Sequence, residues 1–185
     1  TYELDEEDTG YLVTKWDGVS EEVTIPDELH GIPVRAVGSS VFQGRKLLRK
    51  ITFGKNISSI YWKSFYGCSS LVEVHFGSNI REVEEDAFRE CSNLQIITGG
   101  NRLKKIGTHA FADCQSLKEF HVPKNITYFG NGVFVGCTNL EKITASATPK
   151  NMIEISMDSF EGSKWYQQCI TQKKTVIWNH VLIYA

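Results

Sequence analysis

Phe65-Tyr-Gly-Cys68-Ser-Ser-Leu71, Phe88-Arg-Glu-Cys91-Ser-Asn-Leu94, Phe111-Ala-Asp-Cys114-Gln-Ser-Leu117 and Phe134-Val-Gly-Cys137-Thr-Asn-Leu140 are versions of one phrase, each 23 residues after the last. Self-similarity at a fixed period of 20 to 50 residues is the sequence mark of stacked repeats, in which each unit buries its apolar side only against its neighbours. The phrase extends outward. The Phe column continues to Phe42 and, after a three-residue insertion, to Phe160. The Leu column includes Leu48; three residues on come Ile51, Val74, Ile97, Phe120 and Ile143. Ile57, Ile80, Leu103 and Ile126, then Ile60, Val83, Ile106 and Phe129, fill the rest of each unit.

Spacing within the unit carries geometry. Leu71, Val74 and Phe76 end in a period-two alternation, which predicts a short strand with one face inward. Glu84 to Cys91 opens with acidic residues, which predicts one or two helical turns. The residue before each Phe (Val41, Ser64, Ala87, Ala110, Val133, Ser159) is small or modest, as close packing of coils requires. The fold class expected is an α/β repeat solenoid, with short parallel strands in one sheet, helical turns on the other face and β-hairpin caps at both ends. At about 4.8 Å per strand, six units make a sheet about 25–30 Å long. Gly99-Gly100 interrupts the strand column, predicting a weakened or bulged strand whose gap Phe76 and Val122 fill.

Three regions follow: 1–33 as an N-terminal β cap, 34–164 as repeats, and 165–185 as a C-terminal hairpin cap. Residues 1–31 read as short strands outside the repeat, with turn signals at Asp8-Thr9-Gly10 and Asp17-Gly18. Thr175 to Trp178 and Val181 to Tyr184 read as strands joined by Asn179-His180.

Composition describes a foldable chain, with 41% hydrophobic and 23% charged residues. No apolar run reaches the 18 or more residues of a spanning helix. Thr1 in place of Met indicates a processed or cut N-terminus, so a signal peptide is not visible. Residues 1–30 hold ten acidic residues and one basic; the rest hold 12 and 19, splitting the net charge into −9 and +7. That polarity is too interspersed for a nucleic-acid stripe.

The residues also resemble a known family, the BspA-like (Treponema pallidum-type) leucine-rich repeats. Leu117 to Cys137 follows its unit through Pro123, Ile126, Phe129, Gly130, Phe134 and Cys137; Ile106-Gly107 and Ala110-Phe111 follow it too. Thr24-Ile25-Pro26 with Gly31-Ile32-Pro33-Val34 resembles its first coil, and Phe160 to Trp165 with Val181 to Tyr184 its closing segment. Tyr61 and Glu84 depart from its Gly column, and Gly54 and Gly77 stand where Pro is common. The resemblance implies a leucine-rich-repeat stack and a secreted or cell-surface bacterial binding module, with adhesion or host interaction as its role.

Candidate binding residues lie in two places. The outward strand column holds Thr52, His75, Thr98, His121 and Thr144, flanked by Glu73 and Glu119, a mixed polar face of the kind leucine-rich repeats present to partners. Tyr61-Trp62 is an aromatic pair at a turn, a hot-spot composition, unless Trp62 folds onto a neighbouring turn. The cysteine ladder Cys68, Cys91, Cys114 and Cys137 reads as buried free thiols, not disulfides or zinc ligands, because periodicity explains every position and no Cys-x-x-Cys pair occurs. His75 and His121, about 10 Å apart, are too distant to share a metal ion. Asp5-Glu6-Glu7-Asp8 lacks the spacing of a calcium loop. Asn56-Ile-Ser and Asn125-Ile-Thr are sequons with meaning only in a eukaryotic secretory host. The expected partner is a protein or glycan, host-derived in one version, with no nucleic acid, metal or cofactor. Two other readings stand beside it: a structural spacer in a larger surface protein, and a cysteine-dependent hydrolase built on Cys169 and His180.

Overall fold

In the computed structural model, which describes residues 1–5, 9–145, 155–171, 176–178 and 181–184, each 23-residue period is one coil of a solenoid. The Phe column is its axis. Phe42, Phe65, Phe88, Phe111, Phe134 and Phe160 are fully buried. Neighbouring rings stack with centroids 4.8, 4.9, 5.4, 5.7 and 5.8 Å apart in chain order. Trp16 closes one end of the stack 5.6 Å from Phe42, and Trp165 the other, 4.7 Å from Phe160. An end ring with no neighbour would expose a large apolar face, and the two indoles cover it.

The predicted strands form. Lys50–Phe53, Glu73–His75 and Ile96–Thr98 pair parallel and in register, so Ile51, Val74 and Ile97 share one row. Glu22–Ile25, read from the sequence as outside the repeat, joins the same sheet, with Val23 beside Ile51. The sheet ends at Ile96–Thr98; Glu119–Val122 and Lys142–Ala145 form a separate pair. Gly99 and Gly100, with φ of +81° and +70°, carry the chain out of the strand there. The Phe76 ring and Leu103 occupy the space beside Gly100 that a side chain would need.

The return stretch of each coil is a second sheet, which the sequence reading did not contain. Ile32–Val37, Ser59–Ile60, Glu82–Val83, Lys105–Ile106 and Tyr128–Phe129 pair in parallel, and the hairpin Tyr2–Leu4 with Tyr11–Val13 extends it at one edge. Ile60, Val83, Ile106 and Phe129 point inward. Ser59, Glu82, Lys105 and Tyr128 are the residues preceding them, on the outward side.

The helical turns expected at Glu84 to Cys91 are a succession of tight turns instead. Two left-handed residues per coil prevent a helix. One column holds Ser40, Lys63, Asp86, His109 and Gly132; the other holds Gly44, Gly67, Glu90, Asp113 and Gly136. Between them, backbone N–H groups alternate their partners. Phe88 N–H donates to Ala110 O in the next coil at 2.8 Å, while Arg89 N–H turns back to Asp86 O at 3.1 Å. The same cross-coil bond runs from Phe42, Phe65, Phe111 and Phe134 to the residue before the next Phe. The small residue before each Phe thus presents the acceptor that joins two coils. Glu90 stands in a column otherwise rich in glycine, with φ of +61°. Relieving that conformation, Glu90→Gly is expected to stabilise the chain by about 1 kcal/mol, seen as a higher urea midpoint at unchanged slope. Loss of stability would mean that the Glu90 acceptor for the Tyr66 hydroxyl outweighs the backbone strain.

The cysteine ladder is a second cross-coil tie. The thiols of Cys68, Cys91, Cys114 and Cys137 donate to the carbonyls of Phe42, Phe65, Phe88 and Phe111 at 2.9, 3.3, 3.3 and 3.1 Å. Burial pushes the Cys68 thiol up to about 11 and Cys137 up to about 12, with Cys91 and Cys114 also far above the ordinary range. At pH 8 about one Cys68 in a thousand is thiolate. All four are therefore expected to resist an aromatic disulfide reagent in the native chain and to react in denaturant, as a thiol titration by absorbance would read. Fast reaction of any of them in the native chain would contradict this packing.

The C-terminal region corrects the sequence reading. An eight-residue helix, Lys164–Thr171, precedes the last strands. Ser163, three residues after Phe160 where the four preceding coils carry Cys, accepts the Tyr166 N–H at 3.0 Å and caps the helix. Val176–Trp178 and Val181–Tyr184 pair antiparallel, as the hairpin reading requires, and Val181–Tyr184 also pairs parallel with Ile155–Ser156. The turn residues Asn179 and His180 lie outside the described residues, as does Thr175.

Candidate functional site

The structure separates the candidate residues into two surfaces. On the outward side of the first sheet, Thr52, His75 and Thr98 are adjacent in register, and His121 pairs with Thr144 across the later two-stranded pair. The His75 ring bridges coils. Its Nδ1 lies 2.7 Å from Thr98 Oγ1 and its Nε2 lies 2.9 Å from Glu73 Oε2. Glu73 also meets Lys50 Nζ at 3.3 Å. The His75 hydrogen bond, then Lys50, holds the Glu73 carboxyl below the usual carboxylate range. The pattern recurs further along: His121 Nδ1 is 2.9 Å from Thr144 Oγ1, and Lys142 Nζ is 3.2 Å from Glu119. This row is a polar surface whose side chains are tied to one another. Among the described residues no group of three His, Cys, Asp or Glu side chains is placed to hold a metal ion.

Trp62 lies on a different side of the coil and does not fold away. It remains 44% exposed, whereas Tyr61 is half-buried. The Trp62 N–H donates to Glu84 Oε2 at 2.9 Å, fixing the turn to the next coil. Lys63 Nζ rests 4.5 Å from the Trp62 ring centroid and 5.2 Å from that of Tyr66. Trp62 forms one wall of a cleft of about 430 Å³ that runs over the second sheet to Tyr128. Tyr128, 51% exposed, closes the far end. Glu82, Glu84, Glu85, Lys105 and Thr108 line the cleft between them, together with Val83 and Gly107. Lys105 pairs with Glu82 at 3.6 Å. Burial holds the Glu84 carboxyl above the usual range.

Sequence reasoning missed Tyr128, Glu84 and Lys105 as members of a site. For Lys105 and Tyr128 the signal was the column before Ile60, Val83, Ile106 and Phe129, which becomes outward once those four are read as inward residues of strands; Glu84 instead follows Val83, in the column of Tyr61 and Gly107.

Cys169 is buried in the helix Lys164–Thr171, at 8% exposure, rather than presented as an accessible thiol. The hydrolase reading needed His180 beside it, and His180 lies outside the described residues. The Asp5 carboxylate accepts the Thr9 N–H at 2.7 Å; Glu6, Glu7 and Asp8 lie outside the described residues. Among the described residues no helix is long and apolar enough to cross a membrane.

A family model described as the BspA type leucine rich repeat region matches residues 35–167 in six copies. The fold is similar to that of a crystallised leucine-rich-repeat protein of T. pallidum, with a TM-score of 0.82, 26% identity, and 88% of this chain and 74% of that one covered. It is also similar to a leucine rich cell surface protein from Faecalibacterium prausnitzii, with a TM-score of 0.72 and 27% identity over 88% of this chain. A leucine-rich-repeat protein from Bacteroides ovatus shares the fold at a TM-score of 0.68 and 22% identity over 84% of this chain. The match spans 44% and 45% of the latter two proteins. No curated protein matches the sequence significantly.

Proposed function

The chain belongs to the BspA-type leucine-rich-repeat family, and from that premise we propose that it is a non-enzymatic binding module of a secreted or cell-surface bacterial protein. Its ligand is a protein or glycan, and its role is adhesion or host interaction. One observation carries the reading: two exposed aromatic rings, Trp62 and Tyr128, flank a cleft of about 430 Å³ on an otherwise regular solenoid. Exposed aromatics around a concavity supply large contact area and concentrate binding energy. The description of the F. prausnitzii relative as a cell surface protein supports the location. The polar row of His75 and His121 is the second candidate surface.

A screen of the chain against extracellular-matrix proteins and glycans tests this. A ligand is expected whose affinity falls about tenfold or more in Trp62→Ala/Tyr128→Ala and stays level in His75→Ala/His121→Ala, with circular dichroism unchanged in both. The reverse pattern would move the site to the first sheet. Absence of any ligand across the screen would favour the alternative, a structural spacer.

A further inference from the structure

Resting on the binding-module reading, we propose that the Trp62–Tyr128 cleft receives an extended polypeptide segment of a partner protein bearing lysine or arginine side chains.

The charges in the cleft do not balance. Glu82 and Lys105 answer one another at 3.6 Å. Glu84 and Glu85 line the same cleft, and neither forms an ion pair among the described residues. Burial already disfavours the charged form of Glu84. A neutral occupant would strip more water from both carboxylates without compensating them, whereas an ammonium or guanidinium group would pair with them as it displaced that water. The aromatic walls fit the same chemistry, because the face of an indole or phenol attracts a cation. The chain itself demonstrates the attraction at Trp62, where the Lys63 ammonium rests 4.5 Å from the ring centroid.

The dimensions select a chain over a single side chain. Trp62 and Tyr128 belong to coils three steps apart in the second sheet. At about 4.8 Å per step, the walls are about 14 Å apart. An extended peptide spans that distance with about four residues. Such a segment places one cation over Glu84 and Glu85 while its neighbours reach Tyr128.

The test uses the full chain and a synthetic hexapeptide of alternating lysine and serine, its fully acetylated counterpart, and a neutral linear hexasaccharide. Titration calorimetry measures binding, and amide shifts in NMR locate it. The unmodified peptide is expected to bind, shifting amides of Trp62, Glu85, Gly107 and Tyr128. Affinity should fall at least tenfold on acetylation of the peptide and in Glu84→Gln/Glu85→Gln. Glutamine keeps an oxygen for the Trp62 N–H, so that variant should retain the native spectrum. No binding of the unmodified peptide, equal binding of the acetylated one, unchanged affinity in the double variant, or preference for the hexasaccharide would each overturn the proposal. Ligand binding that maps to the His75 row would overturn it while leaving the binding-module reading standing. A protein or glycan found in the wider screen but not in competition with the peptide would do the same.

Discussion

Phe88→Ala is expected to destabilise the chain by about 3–5 kcal/mol, and to do so unevenly along its length. Phe88 is fully buried, with its ring 4.9 Å from Phe65, 5.4 Å from Phe111 and edge-on to Phe76 at 6.0 Å. Removing it takes away the transfer energy of the ring and leaves a cavity that the coils cannot close. They are held at fixed spacing by the backbone bonds from Phe65 to Ala87 and from Phe88 to Ala110. The stacking contacts on both sides go with it. Because coils touch only their neighbours, stability is a sum of coil terms and interface terms. Hydrogen exchange should therefore show protection lost first around residues 65–111, with Glu22–Ile25 and Lys50–Phe53 retaining more of theirs. A uniform loss across the chain would mean that the stack unfolds as one cooperative unit, contrary to the nearest-neighbour picture.

What the sequence made legible follows from how repetition works. A column is visible when every unit spends the same residue type on it, as with the Phe, Cys and Leu columns. All of those proved to be core, down to the fully buried Phe160 beyond the insertion. The second sheet was hidden because Ser59–Ile60 and Glu82–Val83 are two residues long, too short to show an alternation. The helical reading of Glu84 to Cys91 weighed the acidic residues of one unit. Comparison down the column places Gly44, Gly67 and Gly136 at the position of Glu90 and Asp113, and that pattern announces a left-handed residue. The helix Lys164–Thr171 was masked because Ser163 serves two purposes, completing the cysteine column and capping the helix. The site was legible by half. Trp62 stood out as an aromatic in a column of small or polar residues. Its cleft did not, because Tyr128 is 66 positions away in sequence and meets it only through the stacking of coils.

Gly107→Ala is the second large effect, expected to cost about 2–3 kcal/mol, toward the upper end of what overpacking costs. A Cβ on Gly107 would lie 2.4 Å from Glu85 N and 2.5 Å from Glu84 C. Those are backbone atoms of the neighbouring coil, and they can yield only if two coils move apart and the bond from Gly107 N–H to Val83 O, now 2.7 Å, lengthens. Gly130 approaches Thr108 N in the same way, with its own Cβ position at 2.3 Å. Gly38, in the same column, brings its Cβ position within 2.8 Å of Val13 O, whereas Tyr61 and Glu84 carry side chains there, so the close approach belongs to the glycine steps rather than to the solenoid as a whole. Gly31 provides the contrast. Its φ is +78° and its Cβ position is open, so Gly31→Ala bears only the left-handed penalty of about 1–2 kcal/mol. Urea unfolding of the two variants separates crowding from conformation. A cost at Gly107 below that at Gly31 would show that the coil spacing yields easily. Gly107 also lines the Trp62–Tyr128 cleft, so a coil pushed outward there displaces Glu84 and Glu85 relative to Tyr128. Binding to that cleft should then weaken in Gly107→Ala and remain intact in Gly31→Ala, tying the cleft's shape to the glycine that lets two coils touch.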